Sequence, residues 1–261
     1  MAGSILLSIL EETRQQMIES PPERPYIEEL HRPPGRLRIA YSAKTVSPFP
    51  LDPEVVKAVE SIAAKCEEMG HRVEEAAPKY DYDRFMKADT DMVAVTMAAR
   101  IPALAAALKR EDSPDYLEPG TLSYIRYGQQ LSATEFAASV EEIRKFRLTF
   151  GLFFQDYDLL LMPTLGLLPQ PHGPYNLQRD LDLRKMYMGR DAMFQCTAQF
   201  NATGQPAISL PLCQSKSGLP IGIQFAARLG DEATLIRLGR ALEEALPWKD
   251  RRPPVHVGAR Q

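Results

Sequence analysis

Tyr157-Asp158-Leu159-Leu160-Leu161-Met162-Pro163 sets four consecutive apolar side chains between an aspartate and a proline. Side chains alternate across a strand, so an unbroken apolar run of this length suits a strand covered on both faces. A strand of that kind implies a sheet with helices on either side, and the neighbouring sequence supplies both. Residues 36–42 alternate polar and apolar, as a half-buried strand does. Asp52-Pro53 then reads as an N-cap with proline at the first helical position. Val55, Val56, Val59, Ile62 and Ala63 fall on one helix face, Gly70 ends the helix, and residues 72–76 resume as a short strand. Strand, helix, strand is the building unit of a parallel sheet.

Working further outward, residues 5–18 have helical character. Pro21, Pro22, Pro25, Pro33 and Pro34 then make an extended linker or strap as far as Gly35. Residues 82–110 are rich in Ala and Met and read as helix, bent or divided at Pro102. Ser132-Ala133-Thr134-Glu135 is a capping box that opens a long helix to about Phe154. A loop rich in proline and glycine follows the central strand to Tyr175, and residues 184–200 are again helical in character. Residues 206–210 and 221–225 read as two strands, joined through Lys216-Ser217-Gly218 closely enough for a hairpin, which makes the sheet mixed. Asp231 to Leu246 forms a last helix. The fold expected is α/β, with five strands and a helical insertion.

Composition narrows the function. The 261 residues carry 31 basic and 34 acidic side chains, a net charge of -3. That leaves no basic field for a phosphate backbone and speaks against nucleic acid as a partner. Cys66, Cys196 and Cys213 have no Cys-x-x-Cys spacing and read as reduced thiols serving as small buried hydrophobes. No continuous apolar run approaches the ~20 residues of a bilayer span. The first ten residues lack a basic n-region and lead into Glu11 and Glu12, unlike a signal peptide. The expectation is a cytoplasmic protein with no membrane partner.

Self-sufficient catalytic motifs do not occur: there is no Gly-x-Ser-x-Gly, no phosphate-binding glycine loop, no His-Glu-x-x-His and no Gly-x-Gly-x-x-Gly. His31, His71, His172 and His256 are scattered and read as exposed or capping residues, although His172 lies in a loop after a buried strand, where α/β sites often form. Tyr80-Asp81-Tyr82-Asp83 reads as solvated surface. The densest signal runs from Phe200-Asn201-Ala202-Thr203-Gly204-Gln205-Pro206-Ala207-Ile208-Ser209-Leu210-Pro211 into Gly218-Leu219-Pro220-Ile221-Gly222-Ile223-Gln224. Gly230-Asp231-Glu232 and Pro247-Trp248 follow it. Asn201 and Thr203 are suited to hold a tight turn through side-chain bonds to backbone. Gly204 permits a positive φ, and Gly222 lets a neighbour lie directly on its strand. A well-made sheet corner accounts for all of this without chemistry.

In this order these segments resemble the amidase signature family, in particular bacterial amidases of the 6-aminohexanoate cyclic dimer hydrolase type. Residues 33–40, 70–76 and 157–164 add to the likeness, which covers residues 20–258; residues 1–19 match poorly as an N-terminal helix and 259–261 form a tail. The resemblance implies part of an α/β/α sandwich with a mixed central sheet, and hydrolysis of carboxamide C–N bonds through a serine, a bridging serine in a cis peptide and a lysine, with no cofactor and no metal. Those residues lie in a Gly/Ser-rich loop and an upstream lysine motif that this sequence does not contain. Ser209 belongs to the strand motif and is not the nucleophile. The likeness therefore implies the C-terminal half of an amidase, with no catalytic residue of its own. Its substrate-lining positions are Thr164, His172, Phe194, Asn201, Thr203 and Gly204. Phe194 stands where relatives acting on charged tRNA carry an acidic residue. Half a sheet implies an open edge, an uncovered apolar face and lost cover for Leu159-Leu160-Leu161-Met162. The expected partners are a small-molecule amide once the enzyme is reconstituted, and an N-terminal-half protein or a second copy. A non-catalytic binding or assembly module that keeps the fold, or a gene remnant, is the alternative.

Overall fold

The computed structural model describes residues 22–44, 46–111, 113–173, 178, 181–183 and 195–253. Among these residues five strands form one sheet: β1 (Arg38–Tyr41), β2 (Arg72–Glu75), β3 (Leu159–Pro163), β4 (Ala207–Gln214) and β5 (Pro220–Ala227), in the order β2-β1-β3-β5-β4. β1 runs parallel to both β2 and β3, while β5 runs antiparallel to β3 and β4. The sheet is mixed, as the short 214–220 connection requires.

β3 is central, and all five of its residues are buried. Leu159 and Leu161 point to one face with Ile39, Ile223 and Phe225. There they meet the apolar stripe of helix α2 (Pro53–Glu68), made of Val55, Val59, Ile62 and Cys66, and Leu235, Leu238 and Leu242 of helix α7 (Glu232–Ala245). Asp52 caps α2 by accepting a hydrogen bond from the Glu54 N–H at 2.7 Å. Leu160 and Met162 point to the opposite face with Ala40 and Ala226. That face is covered by Phe85 and Met86 of helix α3 (Tyr82–Ala107) and by Ile143, Phe146, Phe150 and Phe154 of helix α5 (Ala133–Asp156). The capping box at Ser132 and Glu135 opens α5. Each such side chain contributes about 1.5–3 kcal/mol on burial. β3 therefore does not lose cover, contrary to the expectation from half a sheet, because the helices of this chain close both of its faces.

Three elements differ from the sequence expectation. Helix α3 passes Pro102 undivided. A helix at Pro119–Gln130 (α4) occupies a stretch that carries no clear helical pattern. The 22–35 strap contains a one-turn helix, α1 (Tyr26–Glu29). Its Glu29 is buried between Arg24 at 3.0 Å and Arg237 of α7 at 2.5 Å, and those guanidiniums hold its carboxyl below the usual range. Among the described residues, α3 is also long and apolar enough to cross a membrane by length and composition, because residues 90–107 carry only Asp91 and Arg100 as charges. In this fold its Asp91 is buried, accepting from Lys87 Nζ at 2.7 Å, Tyr127 OH of α4 at 2.7 Å and Ser139 Oγ of α5 at 2.6 Å. One carboxylate thereby ties three helices together. The expected helices at 5–18 and over most of 184–200 lie outside the described residues.

Candidate functional site

Ligands of α/β sheets gather beyond the carboxyl ends of parallel strands. At that end of β3 the backbone leaves the sheet at Thr164, whose N–H donates to the Gly222 carbonyl at 3.0 Å. Thr164 follows Leu160 and Met162 on the face toward α3 and α5, and its Oγ1 lies 2.6 Å from Ser209 Oγ on β4. β5 passes between them with Gly222. A Cβ there would sit 2.9 Å from Thr164 Oγ1 and 3.1 Å from Ser209 Oγ, so glycine is what lets the two hydroxyls meet across a strand. Among the described residues Thr164 is the one hydrogen-bond partner of the Ser209 hydroxyl. Among these residues no base touches Ser209, in keeping with its reading as a strand residue.

Next to this pair the sheet face is polar and buried. Gln224 donates from Nε2 to the Cys196 carbonyl at 2.8 Å. Gln199 donates to Met162 Sδ at 3.2 Å and accepts from Tyr80 OH at 3.5 Å. Helix α6 (Ala198–Thr203) carries Gln199, and its end is fixed by two bonds: Thr203 Oγ1 to the Gln199 carbonyl at 2.8 Å, and the Gly204 N–H to the Phe200 carbonyl at 2.9 Å. Gly204 has φ 82°, the left-handed conformation foreseen for it. The Arg147 Nε of α5 also donates to the Ala202 carbonyl at 2.7 Å. Burial pushes the Cys196 thiol up to about 12 and raises the Tyr80 phenol, which leaves both neutral. Asp89 of α3 has no hydrogen-bond or ion-pair partner among the described residues, and burial raises its carboxyl to about 6.

Of the positions expected to line a substrate, Thr164, Thr203 and Gly204 lie in these hydrogen-bonded arrangements at the end of β3 and at the end of α6. Asn201 is exposed in the last turn of α6 and makes no side-chain bond to the backbone, because the residues read as a turn are helical and Thr203 alone bonds back. His172 is exposed in the loop after β3, with no partner among the described residues. Phe194 lies outside the described residues. Sequence reasoning missed Gln199 and Gln224 as buried groups. The available signal was an amide within the apolar run 221–225, in register with Met162.

A cavity of about 290 Å³ lies elsewhere, at the amino ends of β1, β2 and β3, lined by Arg38, Arg72, Glu74, Asp156 and Tyr157. Its main charges are already matched: Arg38 with Asp158 at 3.0 Å, Arg72 with Glu74 at 3.1 Å, and Tyr157 OH with Glu74. It sits at the wrong end of the strands for a substrate of the Thr164 region. Among the described residues no group of His, Cys, Asp and Glu is placed to hold a metal.

The family model for amidases matches residues 4–236. The chain belongs to the amidase family. It is 33% identical over 239 residues to the 6-aminohexanoate-cyclic-dimer hydrolases of Pseudomonas sp. (strain NK87) and Paenarthrobacter ureafaciens, covering 89% of this chain and 48% of each relative. The solved structure of a 6-aminohexanoate cyclic dimer hydrolase superposes with a TM-score of 0.81 at 31% identity, over 90% of this chain and 50% of that one. A bacterial aryl acylamidase shares the fold at a TM-score of 0.71 and 20% identity. This amidase-family chain spans about half the length of the relatives it matches.

Proposed function

We propose that this chain is the C-terminal half of an amidase-type hydrolase, and that it builds one wall of the substrate site while the other half of the fold supplies the nucleophile and base. The observation that carries this reading is the superposition over half of a cyclic dimer hydrolase, combined with a sequence that lacks the family's Gly/Ser-rich loop and lysine motif. The hydroxyl pair Thr164–Ser209 and the α6 terminus at Thr203 and Gly204 are the parts of that wall with fixed geometry. In the reconstituted enzyme the lysine deprotonates the nucleophilic serine through the bridging serine. Backbone N–H groups hold the oxyanion of the tetrahedral intermediate; its C–N bond then breaks, the amine departs with the proton taken from the serine, and water hydrolyses the acyl-enzyme that remains. The substrate is a linear or cyclic carboxamide, and a cytoplasmic setting fits the free thiols.

Amide turnover tests it. The purified chain alone hydrolyses no aliphatic, aryl or cyclic amide above background, and hydrolysis returns when it is joined to the half of a cyclic dimer hydrolase that it does not cover. Turnover by the isolated chain, abolished by one point substitution within it, would sink the reading. With Phe194 where a charge-pairing acid would be needed, the restored enzyme prefers apolar or amino-acyl-chain amides to glutamine.

A further inference from the structure

Two carboxylates lie two residues apart on α3 and meet opposite surroundings. Asp91 collects donors from Lys87, Tyr127 and Ser139. Asp89 collects none among the described residues, although burial has withdrawn most of its carboxyl from water. The cations nearest to it along α3 are committed elsewhere, Arg84 to Asp81 at 3.5 Å and Lys87 to Asp91 at 2.7 Å. An unpaired carboxylate in such a place costs stability, and perturbed, unpaired charges of this kind cluster where a site uses them.

The position of Asp89 gives its charge a direction. α3 follows the carboxyl end of β2, which is parallel to β1 as β1 is to β3, so the helix starts at the end of the sheet where Thr164 leaves it. Just before α3, Tyr80 packs edge-on against Phe85 and Phe146, and its hydroxyl reaches Gln199 of α6. Residues three, four and seven apart share a helix face. Tyr82, Phe85 and Met86 therefore stand on the face that carries Asp89, and all three are buried in one cluster with Cys196 and with Phe200 of α6. Met92 continues that face against the same cluster. One turn beyond Asp89 the cover ends, with Val93 41% exposed and Thr96 exposed. Asp89 sits at the rim of the apolar face that borders the candidate site, where a ligand can bring a charge in from solvent.

We propose that Asp89 selects the substrate by pairing with its cationic group, so that the preferred amides carry an ammonium at the far end of an apolar chain. The inference rests on the half-enzyme reading given above and deepens it by naming the substrate class. Such a pair forms away from bulk water, where a charge-assisted hydrogen bond is stronger than at an open surface. The phenyl and thioether side chains on the same face, Phe85, Met86 and Met92, suit the methylenes that lead to the ammonium. Glutamine fits badly, because the carboxylate next to its ammonium would also face Asp89.

The test uses the full chain and two probes of one shape, 6-aminohexanamide, which carries an ammonium, and hexanamide, which does not. Magnetic resonance of carboxyl-labelled aspartate reads Asp89 directly at pH 6, near its raised value. The ammonium probe is expected to move the Asp89 resonance toward its ionised position, and hexanamide to leave it in place. Asp89→Asn weakens binding of the ammonium probe by about tenfold, to the level of hexanamide. The same substitution keeps or raises the melting temperature, because it removes an unpaired charge. A drop would make the carboxylate structural and overturn the proposal. An equal response to both probes, including none, or ammonium binding that survives Asp89→Asn, overturns it as well. Linking the chain to the uncovered half of the Paenarthrobacter ureafaciens hydrolase adds turnover as a second readout. There kcat/KM for a 6-aminohexanoate amide exceeds that for the matching hexanoate amide by about tenfold or more, and Asp89→Asn levels the two. An active linked enzyme without that preference overturns the role of Asp89 and leaves the half-enzyme reading standing. An inactive one counts against the half-enzyme reading, and probe binding by the unlinked chain then decides Asp89 by itself.

Discussion

On the side of α2 and α7 the sheet's Phe225 packs with aliphatic side chains and the thiol of Cys66, whereas the layer of α3, α5 and α6 on the other side holds buried Asp91, Gln199 and Thr203, with Gln224 of the sheet, as well as a cluster of phenyl rings. The first face needs only shape complementarity. The second must also satisfy buried polar groups, and it draws their partners from separate elements: α3, α4 and α5 at Asp91, β3 and α6 at Gln199. Apolar packing tolerates exchange at constant volume, while a polar network fails when one member is removed. The face that borders the candidate site is the one whose geometry is specified by hydrogen bonds.

Substitutions can separate the two kinds of face. Phe225→Ala, at a fully buried position of the apolar face, opens a cavity and costs about 3–5 kcal/mol in denaturant unfolding, whereas Phe225→Leu costs far less. Asp91→Ala on the polar face leaves the Tyr127 and Ser139 hydroxyls facing a void and costs about 2–3 kcal/mol. The isosteric Asp91→Asn loses less. If Asp91→Leu proves as stable as the wild type, the network is dispensable and the contrast fails. Gly222→Ala, where the new Cβ would press on Thr164 Oγ1, costs about 1–2 kcal/mol, and a second change, Thr164→Ala, recovers part of it.

The smallest effect concerns His71, buried beside the apolar face, where its Nδ1 accepts from the Leu37 N–H at 3.2 Å. Desolvation lowers its pKa from the ordinary value of 6.5, so the unfolded chain binds the proton more readily than the folded one. The stability tied to its neutral form is therefore full above pH 6.5 and is lost as pH falls through the lowered value. Melting temperatures across pH 5 to 8 should show that step in the wild type and not in His71→Gln. A step in the opposite direction would mean the imidazolium is the favoured form.

Much of this fold was legible in the sequence because strands and capped helices leave local marks. The run 159–162, the alternation around Ile39, the Asp52-Pro53 start and the Ser132–Glu135 box each correspond to an element found. What escaped depends on tertiary contact. Helix α4 holds Gly120 and Gly128, and glycine disfavours helix, yet a Cβ at Gly128 would lie 2.2 Å from the Ala94 carbonyl oxygen of α3. The glycine is there for a neighbouring backbone, and nothing within residues 119–130 says so. Asn201 and Thr203 read as turn residues because short polar side chains favour turns, but packing against α5 carries the helix one turn further. The hydroxyl pair at Thr164 and Ser209 joins residues 45 apart in sequence and could not be inferred from either segment alone.

The strand order has a consequence for the birth of the molecule. β5, the last strand among the described residues, is the one that sits between β3 and β4, so β4 has no partner and β3 only β1 until about residue 227 has left the ribosome. Before then, β1, β2 and β3 can assemble with α2, but β4 has nothing to bond and α7 no floor to lie on. The closing step is insertion of an interior strand, not growth at a margin. Chains released before that point carry an unfilled slot down the middle of the sheet, and nascent-chain force profiles should register the folding transition only after β5 and α7 emerge.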